Sequence, residues 1–113
     1  MPYDEKAKAI LQQRVYRSAQ QVKLDYVDAH MVELKGEKLG QNEWTRELYV
    51  IAPKYGYERE YLATGKGRNK VEADNWAAGA AMLNKKELVD DLERRVKADA
   101  EEHRRKKIGR AHV

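Results

Sequence analysis

The sequence contains no cysteine, which excludes a disulfide framework, thiolate zinc sites and cysteine nucleophiles and fits a reducing interior. It has no run of about 18 apolar residues, so nothing in it reads as a membrane span. Residues 1–8 lack the apolar stretch of a secretory signal, and an intracellular location is expected. His30, His103 and His112 are scattered, so neither a His-x-x-x-His nor a His-x-Glu metal spacing occurs. No nucleophile motif or phosphate-binding P-loop is present either. The expectation is a binding module, not an enzyme, with no cofactor and no metal.

At 113 residues the chain is long enough for one domain that buries a core without staples. The net charge of +4 is unevenly placed. Residues 1–84 carry 13 Lys and Arg against 12 Asp and Glu, whereas residues 85–113 carry 10 against 7. Polyanion binding by the first, nearly neutral part would need a local patch, because only cations that reach the phosphate backbone contribute.

From Asp4 to about Lys23 good helix formers run without Gly or Pro, with acids at the start. At 100° per residue Ala7, Leu11, Val15, Ser18 and Val22 share one side, the packing face, and Gln13, Arg17, Gln20 and Gln21 share the other. Tyr26 to Leu34 reads as a first strand leading into the loop KGEKLGQNE. Trp44 to Ala52 reads as a second strand, with Trp44, Leu48 and Val50 on one face and Arg46 opposite. Pro53 to Gly56 supplies a turn, and a third strand covers about Glu58 to Thr64. It ends at Gly65-Lys66-Gly67, where glycine permits backbone angles closed to other residues. Asn69 then caps a helix with Glu72 as its capping-box partner, and Ala73, Ala77, Ala78, Ala80 and Ala81 let that helix lie close to a sheet. Past Asn84 helix propensity stays high, but the apolar residues thin out to Leu88, Val89, Leu92 and Val96, and Gly109 is expected to end the helix. The fold class is therefore α+β: a three-stranded antiparallel sheet with two helices on one face, spanning 1–84, followed by a charged helical extension over 85–113.

The junction Gly65-Lys66-Gly67-Arg68-Asn69-Lys70-Val71-Glu72-Ala73-Asp74 carries the clearest chemistry. A helix N-terminus presents unpaired amides and partial positive charge, so it can receive a phosphate, and cations around its first turn add reach. This junction, with Asn75-Trp76-Ala77-Ala78 after it, resembles the signature of double-stranded-RNA-binding domains, in which a G-x-G turn precedes a Ser/Thr-Lys-Lys cap and an A-x-x-x-A-A helix. The resemblance covers about residues 8–84. It implies double-stranded RNA as partner, with the second helix over major-groove phosphates and the first helix and first loop touching two flanking minor grooves.

Lys70 occupies the first lysine position of that pattern, Val71 stands at the second and Asp74 at the third, where a carboxylate is expected to repel phosphate. Lys66 and Arg68 can replace part of the missing charge. The family's Gly-Pro-x-His loop is absent, and Lys35, Lys38, Gln41 and Asn42 are what this loop offers instead. The expected RNA-binding residues are thus Gln13, Arg17, Gln20 and Gln21 on the first helix, Lys35 and Lys38 in the loop, and Lys66, Arg68, Asn69 and Lys70 at the junction. Taken alone, the glutamine-rich face is ordinary solvated surface, and Trp44 and Trp76 read as core residues. The tyrosines at 49, 55, 57 and 61 suit packing and edge positions at least as well as the stacking of single-stranded bases. The implied role is one module of a larger RNA-processing protein. The alternative is a degenerate family member that binds protein through its sheet or its C-terminal helix.

Overall fold

The computed structural model describes residues 5–15, 22–34 and 41–111, with side chains at 5–15, 22–29 and 43–102. The elements are α1 (Ala7–Val15), β1 (Lys23–Leu34), β2 (Gln41–Ala52), a 3-10 turn (Pro53–Tyr55), β3 (Tyr57–Gly67), α2 (Lys70–Asn84) and α3 (Lys86–Ala111). The strands form one antiparallel sheet in the order β1-β2-β3. The α+β order expected from the sequence is the order observed, with the helix that follows Asn84 as a third helical element.

Several boundaries differ from the sequence reading. The first helix was expected to reach about Lys23, yet Lys23 opens β1, opposite Ile51 of β2; helix propensity is a weak prior beside strand pairing. All three strands are longer than their apolar cores suggest, because flanking residues such as Lys23, Gln41 and Gly67 still join the ladder. Helix α3 runs through Gly109 to Ala111, so that glycine does not terminate it. Among the described residues no helix is long and apolar enough to cross a membrane.

Alternation along β2 buries Leu48, Val50 and Ala52 on one face. Ala7, Leu11 and Val15 of α1 and Ala77, Ala78 and Ala81 of α2 pack into the same core. Helix α2 lies against β2 and β3, and α1 packs chiefly on α2. The core does not stop at residue 84: Val89, Leu92 and Val96 of α3 are all buried in it. Tyr55 and Tyr57, at the turn and the start of β3, donate their hydroxyls to Asp99 (2.6 Å) and Asp91 (3.1 Å) of α3. Arg14 of α1 reaches Asp90 and Glu93 from the other side. The first three turns of α3 are therefore part of the domain, and several of its acids are docking groups instead of a purely solvated face.

The glycines of β3 act by size and not by backbone angle. Among the described residues only Gly56, which closes the turn after Tyr55, has a positive φ, at 88°. Gly65 and Gly67 lie within the strand, and a Cβ on Gly65 would sit 2.1 Å from the carbonyl oxygen of Ala73 and 2.4 Å from the amide nitrogen of Ala77. On Gly67 it would sit 2.6 Å from the amide nitrogen of Ala73. These distances are far inside van der Waals contact. The G-x-G pair is thus the groove into which the first turns of α2 settle, and it fixes where that helix begins.

Candidate nucleic-acid interface

Asn69 caps α2 in extended conformation, its side-chain oxygen accepting from the Glu72 amide at 2.8 Å. Arg68, Asn69 and Lys70 are exposed around this helix end. Lys66 is exposed as well, but it lies between two glycines that both face α2, so strand alternation sends its side chain from the opposite face of the sheet. The junction therefore places Arg68, Asn69 and Lys70 together and separates Lys66 from them by the thickness of the strand.

The three cations also differ in their surroundings. Among the described residues neither Lys66 nor Arg68 makes an ion pair. Lys70 is engaged: its ammonium is 3.5 Å from Asp28 and lies over the Trp44 ring, 5.2 Å from the centroid. An open cleft of about 630 Å³ runs beside the helix end, lined by Glu5, Arg68, Asn69, Val71, Glu72 and Asn75. Val71, at the second lysine position of the pattern, is 65% exposed.

Asp74 does not face the solvent as expected. It is 3% exposed, and its carboxylate accepts from Arg46 Nε at 2.9 Å and from Lys8 Nζ at 2.8 Å. A carboxylate with two cationic donors has its charge satisfied at home and does not project repulsion toward a ligand. Its neighbour Asn75 accepts from the Lys8 backbone amide at 2.9 Å and donates to the Val71 carbonyl at 3.0 Å. Asp74 and Asn75 together hold the first turn of α1 against α2, and Asn75 satisfies one of the amide donors a helix start leaves open.

The pairing of Asp74 requires Arg46 to share the helix-facing side of β2 with Leu48 and Val50, as its even spacing from them dictates, and not the opposite side. From there Arg46 also donates to Asp28 of β1, directly opposite in register, at 2.5 Å. The hydrogen bond from Arg46 holds the Asp28 carboxyl below its ordinary range. The sequence marked Asp74 as a repelling carboxylate and set Arg46 on the opposite strand face, whereas the structure pairs the two; Asp28 and Lys8 were not singled out from the sequence. The shared parity of positions 44, 46, 48 and 50 was a readable sign for Arg46; nothing local marked Asp28 or Lys8.

Of the remaining expected residues, Gln13 is exposed on α1, while Arg17, Gln20, Gln21, Lys35 and Lys38 lie outside the described residues. Gln41 and Asn42 open β2, and their side chains lie outside what is described. Trp44 and Trp76 are both half-buried, Trp76 against the core. Tyr49 and Tyr61 pack edge to face on the sheet, with Arg59 over the Tyr49 ring at 4.2 Å. No group of three or more His, Cys, Asp or Glu that could hold a metal occurs among the described residues. No protein-family model and no curated protein matches the chain.

Proposed function

We propose that this chain is a double-stranded-RNA-binding module that reads a duplex through its shape and phosphate backbone, as one part of an RNA-processing protein. The observation that carries this reading is the Asn69-capped start of α2, where the exposed Arg68 has no carboxylate partner among the described residues and Lys70 stands two residues on. Such an end offers oriented amides, partial positive charge and side-chain cations to one phosphate run. Lys66 reaches a neighbouring phosphate from the far side of the strand. The close seat of α2 on Gly65 and Gly67 makes this end rigid, which lowers the ordering cost of binding.

The test is a titration against a duplex RNA of roughly 16 base pairs or more, the span such a module covers, with DNA duplex and single-stranded RNA beside it. Duplex RNA should bind most tightly. Converting Lys66 and Arg68 together to alanine should keep the fold, since exposed cations contribute little to stability, and should lower the salt slope by roughly 0.9 per lost phosphate contact. Equal affinity for RNA and DNA duplexes would sink the shape readout. A second reading is a protein-binding module, favoured by the exposed Val71 and by Glu5 and Glu72, which flank Arg68 in the cleft. That reading predicts that Val71→Lys strengthens RNA binding little while abolishing a protein contact.

A further inference from the structure

We propose that Asp28 sets the phosphate threshold of this interface by holding Lys70 against Trp44, so that Lys70 engages only a phosphate array strong enough to displace it. The inference rests on the nucleic-acid reading for its physiological ligand, although the clamp itself is independent of it. One carboxylate serves two cations from two elements. Its Oδ1 accepts from Arg46 of β2 at 2.5 Å, and its Oδ2 stands 3.5 Å from Nζ of Lys70 at the start of α2. The opposite side of the ammonium meets the face of Trp44, with the centroid 5.2 Å away.

Lys70 is thus bracketed by a full negative charge and the negative face of an indole. Arg68, two residues earlier, has neither. The two halves of the bracket differ in how firmly they are held. Arg46 is 13% exposed and also bonded to the buried Asp74, which fixes Asp28 from below. The Lys70 to Asp28 contact, by contrast, joins groups that are 51% and 54% exposed. Exposed pairs of this kind are weak enough for a polyphosphate to displace one partner, whereas a lone anion gains too little. Because Arg46 keeps the carboxyl ionised well below neutral pH, the bracket persists across the physiological range. It responds to the density of negative charge in the ligand and not to protons.

Asp28→Asn tests this without dismantling the fold, since Arg46 retains its bond to Asp74. With inorganic polyphosphate as probe, and separately with a 16-base-pair RNA duplex, Asp28→Asn should bind roughly fivefold more tightly than the parent. The salt slope should steepen by roughly 0.9 as Lys70 gains a phosphate. In a Lys70→Ala background the same change should give no gain. A gain that survives Lys70→Ala overturns the proposal, because Asp28 would then act at long range and not through the clamp. In a Trp76→Phe background, Asp28→Asn and Lys70→Ala should each shift Trp44 emission before any ligand is added, and unchanged emission in both overturns it too. Tighter polyphosphate binding without any preference for duplex RNA would leave the clamp standing and remove the RNA reading.

Discussion

Gly56 and Gly65 show that two glycines nine positions apart serve opposite needs. Gly56 adopts φ 88° with nothing within 4 Å of a would-be Cβ, so Gly56→Ala should cost only the left-handed penalty of about 1 kcal/mol. Gly65 has no such backbone demand, but an added Cβ meets helix backbone at 2.1 Å. Backbone cannot swing aside as a side chain can, so Gly65→Ala should cost about 3 kcal/mol or more. Urea unfolding of both variants checks the order. Equal losses would mean that α2 is free to lift off the strand. The same residue-level view changes the meaning of Asp74. Its place in the family pattern suggests a phosphate-facing position, but a lysine there would be buried beside Lys8 and Arg46, so Asp74→Lys is a folding defect and not a route to stronger binding.

Helix α3 is fastened by hydrogen bonds whose donors titrate at high pH. The Tyr55 hydroxyl is pushed up to about 12, first by burial and then by its bond to Asp99, and Tyr57 is raised for the same reasons through Asp91. A phenol whose folded value lies above its unfolded 10.0 contributes stability that is intact below that value and lost as pH rises toward about 12. Unfolding free energy should therefore fall between pH 10 and 12, and Tyr55→Phe should remove much of that slope in a pH series of denaturant melts. At the acid end the sign reverses. Asp99 is held below its usual 3.8, chiefly by the Tyr55 hydroxyl, so its contribution is present above that value and fades as pH falls beneath it. None of this pairing could be seen in α3 itself, because the partners lie more than 30 residues earlier.

For the molecule as a whole, the question is where the folding unit ends. Ending the chain at residue 84 removes Val89, Leu92 and Val96, each no more than 2% exposed. At about 1.5 to 3 kcal/mol per buried side chain this loss is comparable to the whole stability of a small domain, about 5 to 15 kcal/mol. Ending it at residue 102 removes none of the buried residues among those described and keeps Asp99. The shorter chain should be unfolded or molten by near-UV circular dichroism, and the longer one should melt close to the parent. If both melt alike, the packing of α3 carries no weight. The chain ending at residue 102 also lacks the cations from Arg104 to Arg110. Its duplex affinity should drop modestly, less than in the Lys66 and Arg68 double variant, if α2 carries the main contact.

The sequence by itself determined the elements and their order. The β-compatible run of β1, the period-2 run of β2, the proline–glycine turn, the Asn69 cap and the alanine face of α2 are local patterns, and local patterns are what hydrogen bonding and side-chain periodicity write into a chain. Only the tertiary structure decided which charges are free. Whether Asp74 repels a ligand or ties α1 to α2, and whether Lys70 is open or held by Asp28, depend on partners 28 to 66 residues away; which face of the strand Lys66 leaves follows from how α2 seats on Gly65 and Gly67. An ion pair between distant elements leaves no periodic trace in the sequence. Its members are surface-type residues, and only the fold brings them within 4 Å of one another.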